Sequence, residues 1–349
     1  MSLCTKTNSD FFTPIGATII PFVMNKIEKT LNNGGVCKTM NILCATDDNY
    51  TPYCGVMLTS FLENHKAFHT EVYIIVKNRL KAEKKLKRLE NLYNVNVNIV
   101  EFPFNDVTSS FPIGNQHWTI ETYYRLFAPV LLPKDIDRFL YLDCDIIVDG
   151  DVSDIYFSDL DGISAFVADD IPGRMTQSHY VRLGYPKEYG YFNAGMMMVN
   201  LNFWREHDIK KRCVDYITEH HDILILYDQD VLNYVLQDSK KYVSVLYNFQ
   251  ENTLQKYNYD MYSPAMKKEV DTCRPKIIHF TTPAKPWVIF SYPRPFYKLW
   301  HRYKNISLWR HVSDKLPEEK PFNYFIKRYF LWPLGIYLPK SGFVCPKWM

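Results

Sequence analysis

From Met40 to Phe102 the chain alternates short apolar runs with stretches of helical spacing, and this alternation limits the folds open to it more than any other feature. Met40 to Ala45 (MNILCA) reads as a buried strand, Tyr53 to Asn64 as a helix and Glu71 to Val76 as a β-branched strand. Leu80 to Asn94 then reads as a second helix and Val95 to Phe102 as a third strand. Strand, helix, strand, helix, strand is satisfied by a parallel, doubly wound sheet with helices on its faces, so the reading is α/β and Rossmann-like. A helix around Ile120 to Val130, a strand over Arg138 to Val148 (RFLYLDCDIIV), another at Ile163 to Ala168 and a mixed segment from Phe192 to Trp204 continue the pattern. Residues 1–38, which contain Pro and Asn, read as an extension ahead of it.

In open sheets of this kind ligands bind beyond the carboxyl ends of the strands, so polar residues that end strands come first as site candidates. Two such groups stand out: Thr46-Asp47-Asp48-Asn49-Tyr50 after the first strand and Asp143-Cys144-Asp145 after the fourth. Asp143 and Asp145, two apart on a strand, project from one face and can share a cation. Apolar neighbours on both sides make an uncompensated carboxylate pair costly, and a cation is the simplest compensation. Hard oxygen ligands favour Mg²⁺ or Mn²⁺, and an added imidazole tilts the choice toward Mn²⁺.

His279 ends the apolar run Lys276-Ile277-Ile278. A lone histidine there is ordinarily a hydrogen-bonded core residue, but Lys285-Pro286-Trp287 follows closely and looks like a cation on a stiff turn, suited to a phosphate oxygen. Asp228-Gln229-Asp230 precedes the helical pattern Val231 to Leu236. N-capping accounts for one aspartate and leaves the other, with the glutamine, free for a ligand.

Composition excludes some classes. With 349 residues, 47% of them hydrophobic, the chain can bury a sizeable core, and its net charge of +3 is too small and too interleaved to indicate a nucleic-acid partner. The eight cysteines show no CxxC pair and read as reduced, mostly buried thiols. The run Phe11 to Met24 is broken by Pro14 and Pro21 and carries no basic flank or cleavage site, so the expected compartment is the cytoplasm. From residue 322 to the end there is no acidic residue, while Lys327, Arg328, Lys340 and Lys347 alternate with large aromatics. Such a tail either packs on its own domain or meets anionic lipid headgroups at the inner face of the plasma membrane.

Taken together, Ala45-Thr46-Asp47-Asp48-Asn49-Tyr50, Thr122-Tyr123-Tyr124-Arg125-Leu126, Tyr141-Leu142-Asp143-Cys144-Asp145, Phe192-Asn193-Ala194-Gly195, Asp228-Gln229-Asp230 and His279 through Trp287 resemble glycosyltransferase family 8. That family holds retaining sugar transferases, including bacterial lipopolysaccharide galactosyl- and glucosyltransferases and the glycogenins. The resemblance implies a GT-A nucleotide-sugar fold over residues 39–305 with a mixed, mostly parallel sheet, followed by the basic aromatic tail at 306–349. It also implies hexose transfer from a UDP-sugar donor to a saccharide acceptor. By the same resemblance Ala45, Asp47, Asn49 and Tyr50 hold the uridine, Asp47 reading the uracil edge and Tyr50 stacking on it. Asp143, Asp145 and His279 hold Mn²⁺ (or Mg²⁺) beside Cys144, and Lys285 neutralises the leaving diphosphate. Arg125, Asn193, Ala194, Asp228 and Gln229 hold the hexose, with Arg125, Asp228 and Gln229 nearest the chemistry. One departure is Thr282, where bacterial members usually carry a glycine that lets a backbone N–H approach a phosphate.

Two other readings stand beside this one. A haloacid-dehalogenase-type phosphatase also places DxD after an apolar strand and an acidic pair, here Asp169-Asp170, after a later one. A non-catalytic UDP-sugar-binding protein would keep the donor residues without needing Asp228 and Gln229.

Overall fold

The computed structural model describes residues 38–113, 119–171, 177–289, 294–316 and 342–349. The extension at 1–38, save Lys38, and residues 317–341 of the tail lie outside them. Ten strands are described: β1 (Thr39–Ala45), β2 (His69–Val76), β3 (Val95–Glu101), β4 (Arg138–Leu142), β5 (Ile146–Val148), β6 (Ala165–Asp169), β7 (Phe192–Asn200), β8 (Lys240–Tyr242), β9 (Phe249–Gln250) and β10 (Ile277–His279). Seven form one sheet in the order β3-β2-β1-β4-β7-β6-β8, and β5-β10-β9 form a second. In the large sheet β7 alone runs against its neighbours, pairing antiparallel with β4 and β6, so the sheet is mixed and mostly parallel.

The side-chain period of two divides the core between the faces. Along β1, Met40, Ile42 and Cys44 enter one apolar layer and Leu43 the other; along β7, Met196 and Met198 join the first layer, Met197 and Val199 the second. Strands buried on both faces read as continuous apolar runs, which is why the period of two is invisible in MNILCA and GMMMV.

Three expectations need correction. The run Arg138 to Val148 is not one strand: Asp143-Cys144-Asp145 is a turn joining β4 to β5 in the second sheet. The chain changes partner there, because Asp143 N–H donates to Gly195 carbonyl O at 2.9 Å while Phe280 N–H donates to Asp145 carbonyl O at 3.0 Å. The spacing over Leu80 to Asn94 yields only a five-residue helix, Glu83–Lys87, running into a 3₁₀ turn at Arg88–Asn91. The helix around Ile120 to Val130 is 3₁₀ over Ile120–Phe127, with a single α-turn at Ala128–Leu131.

The body continues past residue 305. The helix Tyr297–Ile306 buries Trp300 and Tyr303, and Trp309 lies so tightly on the helix Thr51–Asn64 that a Cβ at Gly55 would sit 2.0 Å from its ring. At the chain end Val344 N–H donates to Leu254 carbonyl O and Trp348 Nε1 to Val270 carbonyl O, 2.6 Å each. Among the described residues no helix is long and apolar enough to cross a membrane. Cys44, Cys54, Cys144 and Cys213 are buried thiols, whereas Cys273 and Cys345 are exposed.

Candidate active site

The carboxyl ends of β1, β4 and β10, the start of the antiparallel β7 and the start of the helix Asp228–Val235 meet around one cleft of about 340 Å³. Reversal of β7 is what brings Asn193-Ala194-Gly195 alongside the end of β4. The lining includes Ala45, Asp47, Tyr50, Arg125, Asp143, Cys144, Asp145, Asn193, Ala194, Asp228, Gln229, His279 and Lys285, so residues from all six sequence segments come together. Asn49 is not among the lining residues; its side-chain amide donates to Asp47 Oδ2 at 3.2 Å.

Asp143, Asp145 and His279 each offer a ligand atom within 4.8 Å of the others, the one such trio of acidic, His or Cys groups among the described residues. His279 Nε2 lies 3.1 Å from Asp145 Oδ1 and 3.8 Å from Asp143 Oδ2. Its other nitrogen, Nδ1, bonds Asn248 Oδ1 at 2.9 Å, and the Asn248 amide is fixed by donating to Asn193 Oδ1 at 2.9 Å. With Nδ1 as donor, Nε2 carries the lone pair a metal ligand needs. Two carboxylates and one imidazole suit Mn²⁺ or Mg²⁺. The charge balance agrees: Asp47, Glu121, Asp143, Asp145 and Asp228, five carboxylates, line the cleft against two cations, Arg125 and Lys285.

The trio is packed from behind by Gly195, where a Cβ would fall 2.1 Å from His279 Cε1 and 2.7 Å from Asp143 Oδ2. Asp143 is held by Tyr141 OH at 2.8 Å and Arg125 Nη2 at 2.9 Å. Lys285 Nζ donates to Asp145 Oδ2 at 2.6 Å. Burial alone would raise the Asp145 carboxyl, but Lys285 and then His279 hold it well below the usual carboxylate range.

Arg125 is the hub of the other wall. Its guanidinium lies 4.0 Å over the Tyr141 ring, donates to Ala194 carbonyl O at 2.5 Å and to Thr122 carbonyl O at 3.0 Å, and sits between Asp143 and Asp228, with Nε 3.0 Å from Asp228 Oδ2. Burial opposes its charge, and these two carboxylates overcome that and keep it protonated. Asp228 also accepts from Thr122 Oγ1 at 2.8 Å, yet burial pushes its carboxyl up to about 6. Gln229 is locked: Oε1 accepts from Asn193 Nδ2 and Ala194 N–H, and Nε2 donates to Asp170 Oδ2, each at 3.1 Å.

Neither aspartate of Asp228-Gln229-Asp230 caps its helix with a side chain, contrary to the N-cap expectation; Asp230 bonds backbone N–H groups ahead of the helix instead. The Thr282 hydroxyl is committed to the buried Glu251, donating to Oε1 at 2.7 Å. Sequence reading missed Thr122, Tyr141, Asn248 and Asp170 as partners of the site. Tyr141 and Thr122 lay inside quoted motifs, but nothing local marks Asn248, which reaches His279 only because β9 pairs with β10.

The fold is of the GT-A type found in glycosyltransferases. A galactosyltransferase, LgtC, solved with donor and acceptor sugar analogues, superposes with a TM-score of 0.67 at 24% identity over 80% of this chain and 98% of that one. An active-site mutant of LgtC gives 0.69 at 23% identity with the same coverage. In sequence the chain is similar to general stress protein A of Bacillus subtilis (27% identity; 79% of this chain, 96% of the relative). It is also similar to a lipopolysaccharide 1,2-glucosyltransferase of Escherichia coli K12 (28%; 86% and 87%). The profile of glycosyl transferase family 8 matches residues 41–289, and the chain belongs to that family. The phosphatase reading falls with this assignment.

Proposed function

We propose that the chain transfers a hexose, galactose or glucose, from a UDP-sugar to a saccharide acceptor with retention of configuration. The observation that carries this is the meeting of the Asp143–Asp145–His279 trio with the Arg125–Asp228 pair and with Ala45, Asp47 and Tyr50 in a single cleft. A divalent ion bound by the trio would supply positive charge to the diphosphate. Lys285, already beside Asp145, adds a second positive charge there, and such preorganised charge is typically the largest catalytic contribution. Arg125 and Asp228 present a fixed donor and acceptor to sugar hydroxyls. Tyr50, at the rim and edge-on to Tyr53 and Trp287, offers a ring to the uracil. Gln229 Oε1 already accepts two N–H groups, and the Asp228 carboxylate is engaged by Thr122 and Arg125, so neither candidate nucleophile is free, which favours front-face attack with a diphosphate oxygen as base.

The names of the similar proteins favour a lipopolysaccharide-type or other cell-surface acceptor. A lipid-linked acceptor of that kind would place the enzyme in the cytoplasm at the inner membrane face, with the basic aromatic tail as the contact. UDP release from a panel of UDP-sugars without acceptor, with Mn²⁺ or with chelator, tests the reaction class. Chelator-sensitive release from one hexose donor supports it, and tight UDP-sugar binding with no release from any donor would leave a binding protein.

Asp228 gives the reading a pH signature. With a folded-state value of about 6 against an ordinary 3.8, the folded protein binds the proton more tightly than the unfolded chain. Stability contributed by this group therefore rises as pH falls from about 6 toward 4 and is absent at higher pH. Donor binding should move the opposite way, because protonation removes one of Arg125's two carboxylates. The expected result is a donor KM that climbs below about pH 6 in the wild type and is flat in Asp228→Asn, read from pH profiles of kcat/KM and KM.

A further inference from the structure

The turn that delivers Asp228 and Gln229 to the cleft is strained. Tyr227 has φ 46° and ψ −117°, a combination that a residue with a side chain keeps only when its surroundings impose it. Asp230 is the group placed to impose it. Its side chain is fully buried and does not line the cleft, yet its carboxylate gathers donors from three segments. Oδ2 accepts from the backbone N–H groups of Ile225 and Leu226, at 2.9 Å each, and from Arg182 Nη1 at 3.2 Å. Oδ1 accepts from Tyr191 OH at 2.6 Å and faces Arg182 Nη2 at 3.5 Å. Tyr191 lies immediately before β7, and Arg182 belongs to the helix Gln177–Leu183.

We propose that Asp230 is a positioning residue: by fixing the inside of the 225–226 turn it holds Tyr227 strained and thereby aims Asp228 and Gln229 into the cleft. The inference rests on the donor-site reading above. The coupling is direct, since Gln229 N–H donates to Leu226 carbonyl O at 2.9 Å and Asp228 sits against Arg125, which in turn holds Asp143. A carboxylate suits the site better than an amide. An asparagine could keep the Oδ2 contacts with its oxygen, but its NH₂ would face the Arg182 guanidinium, force the Tyr191 hydroxyl to turn from donor to acceptor and remove the charge that faces Arg182. Relaxation of Tyr227 to an ordinary backbone conformation would move Asp228 and Gln229 directly and reach the metal trio only at second hand, through Arg125 to Asp143 and through Asn193 and Asn248 to His279.

The test compares wild type, Asp230→Asn, Tyr227→Gly and the double variant for UDP release from whichever UDP-hexose the wild type turns over. Mn²⁺–UDP affinity by calorimetry and thermal unfolding are measured alongside. Asp230→Asn should lower kcat by about 100-fold, the cost of a small misplacement of reacting groups, with a much smaller loss of Mn²⁺–UDP affinity because the trio is displaced only through Arg125 and Asn193. Glycine adopts positive φ without a side-chain penalty, so adding Tyr227→Gly should restore kcat by about tenfold. If Asp230→Asn does not fold, Tyr191→Phe removes one donor and should show a smaller kcat loss that Tyr227→Gly also lifts. A variant that melts earlier with unchanged kcat, or a loss that glycine leaves unrestored, overturns the positioning role. A wild type inert toward every UDP-hexose overturns the donor-site reading and the role of Asp230 with it.

Discussion

Asp145→Asn is expected to lower Mn²⁺-dependent UDP release by about two to three orders of magnitude while the protein stays folded. The substitution keeps the shape of the side chain but removes one of the two negative charges facing His279 Nε2 at 3.1 Å. It also breaks the pair with Lys285, whose Nζ lies 2.6 Å from Oδ2. Both losses fall on the same chemistry, the handling of charge at a diphosphate. The fold should survive, because the Asp145 side chain lines the cleft and packs in neither core layer. Steady-state UDP release against Mn²⁺ concentration, with thermal unfolding as the control for folding, measures it. Wild-type turnover in this variant would remove Asp145 from the metal site.

Gly195→Ala should be the second most damaging change, although it adds only one methyl group and removes no charged or hydrogen-bonding group. The new carbon would lie 2.1 Å from His279 Cε1 and 2.7 Å from Asp143 Oδ2, well inside contact distance. Neither neighbour can retreat freely. His279 is tied to Asn248 through Nδ1, and Asp143 is tied to Tyr141 and Arg125. The expected result is a loss of Mn²⁺ affinity of about 10- to 100-fold, the scale on which displaced outer partners act on a metal. A stability cost of about 1–3 kcal/mol accompanies overpacking. Calorimetric titration with Mn²⁺ in the presence of UDP, beside a denaturation curve, separates the two. Unchanged affinity would mean that the trio is looser than the geometry shows or does not hold the ion.

Much of this site was legible in the sequence because its residues end strands, and strand ends in an open α/β sheet converge whatever the intervening chain does. Thr46 to Tyr50 and Asp143 to Asp145 follow apolar runs directly, so the strand pattern pointed to them, whereas Ala45 and the ligand role of His279 came from the resemblance to the family. The joint between β4 and β5 was not legible, since RFLYLDCDIIV is apolar on both sides of the aspartates and a change of partner strand leaves no mark in one segment. The period-two argument for Asp143 and Asp145 therefore reached the right pair through the wrong geometry: they converge because a turn folds them toward His279. The weak helix after Leu80 failed for a different reason, helical spacing being satisfied by a single short turn with 3₁₀ continuation. Partners such as Asn248 and Asp170 depend on long-range pairing, and no local pattern announces them.

The family assignment leaves open whether this chain's own trio holds the ion against the nucleotide, and the electron paramagnetic resonance of Mn²⁺ answers that directly. Free aqueous Mn²⁺ gives a six-line signal that collapses on binding to protein, so a titration of wild type with UDP present should remove one equivalent per chain. The same titration of Asp145→Asn should leave the signal near the intensity of the matching Mn²⁺–UDP solution without protein. Equal loss of signal in both proteins would contradict the assignment of the site.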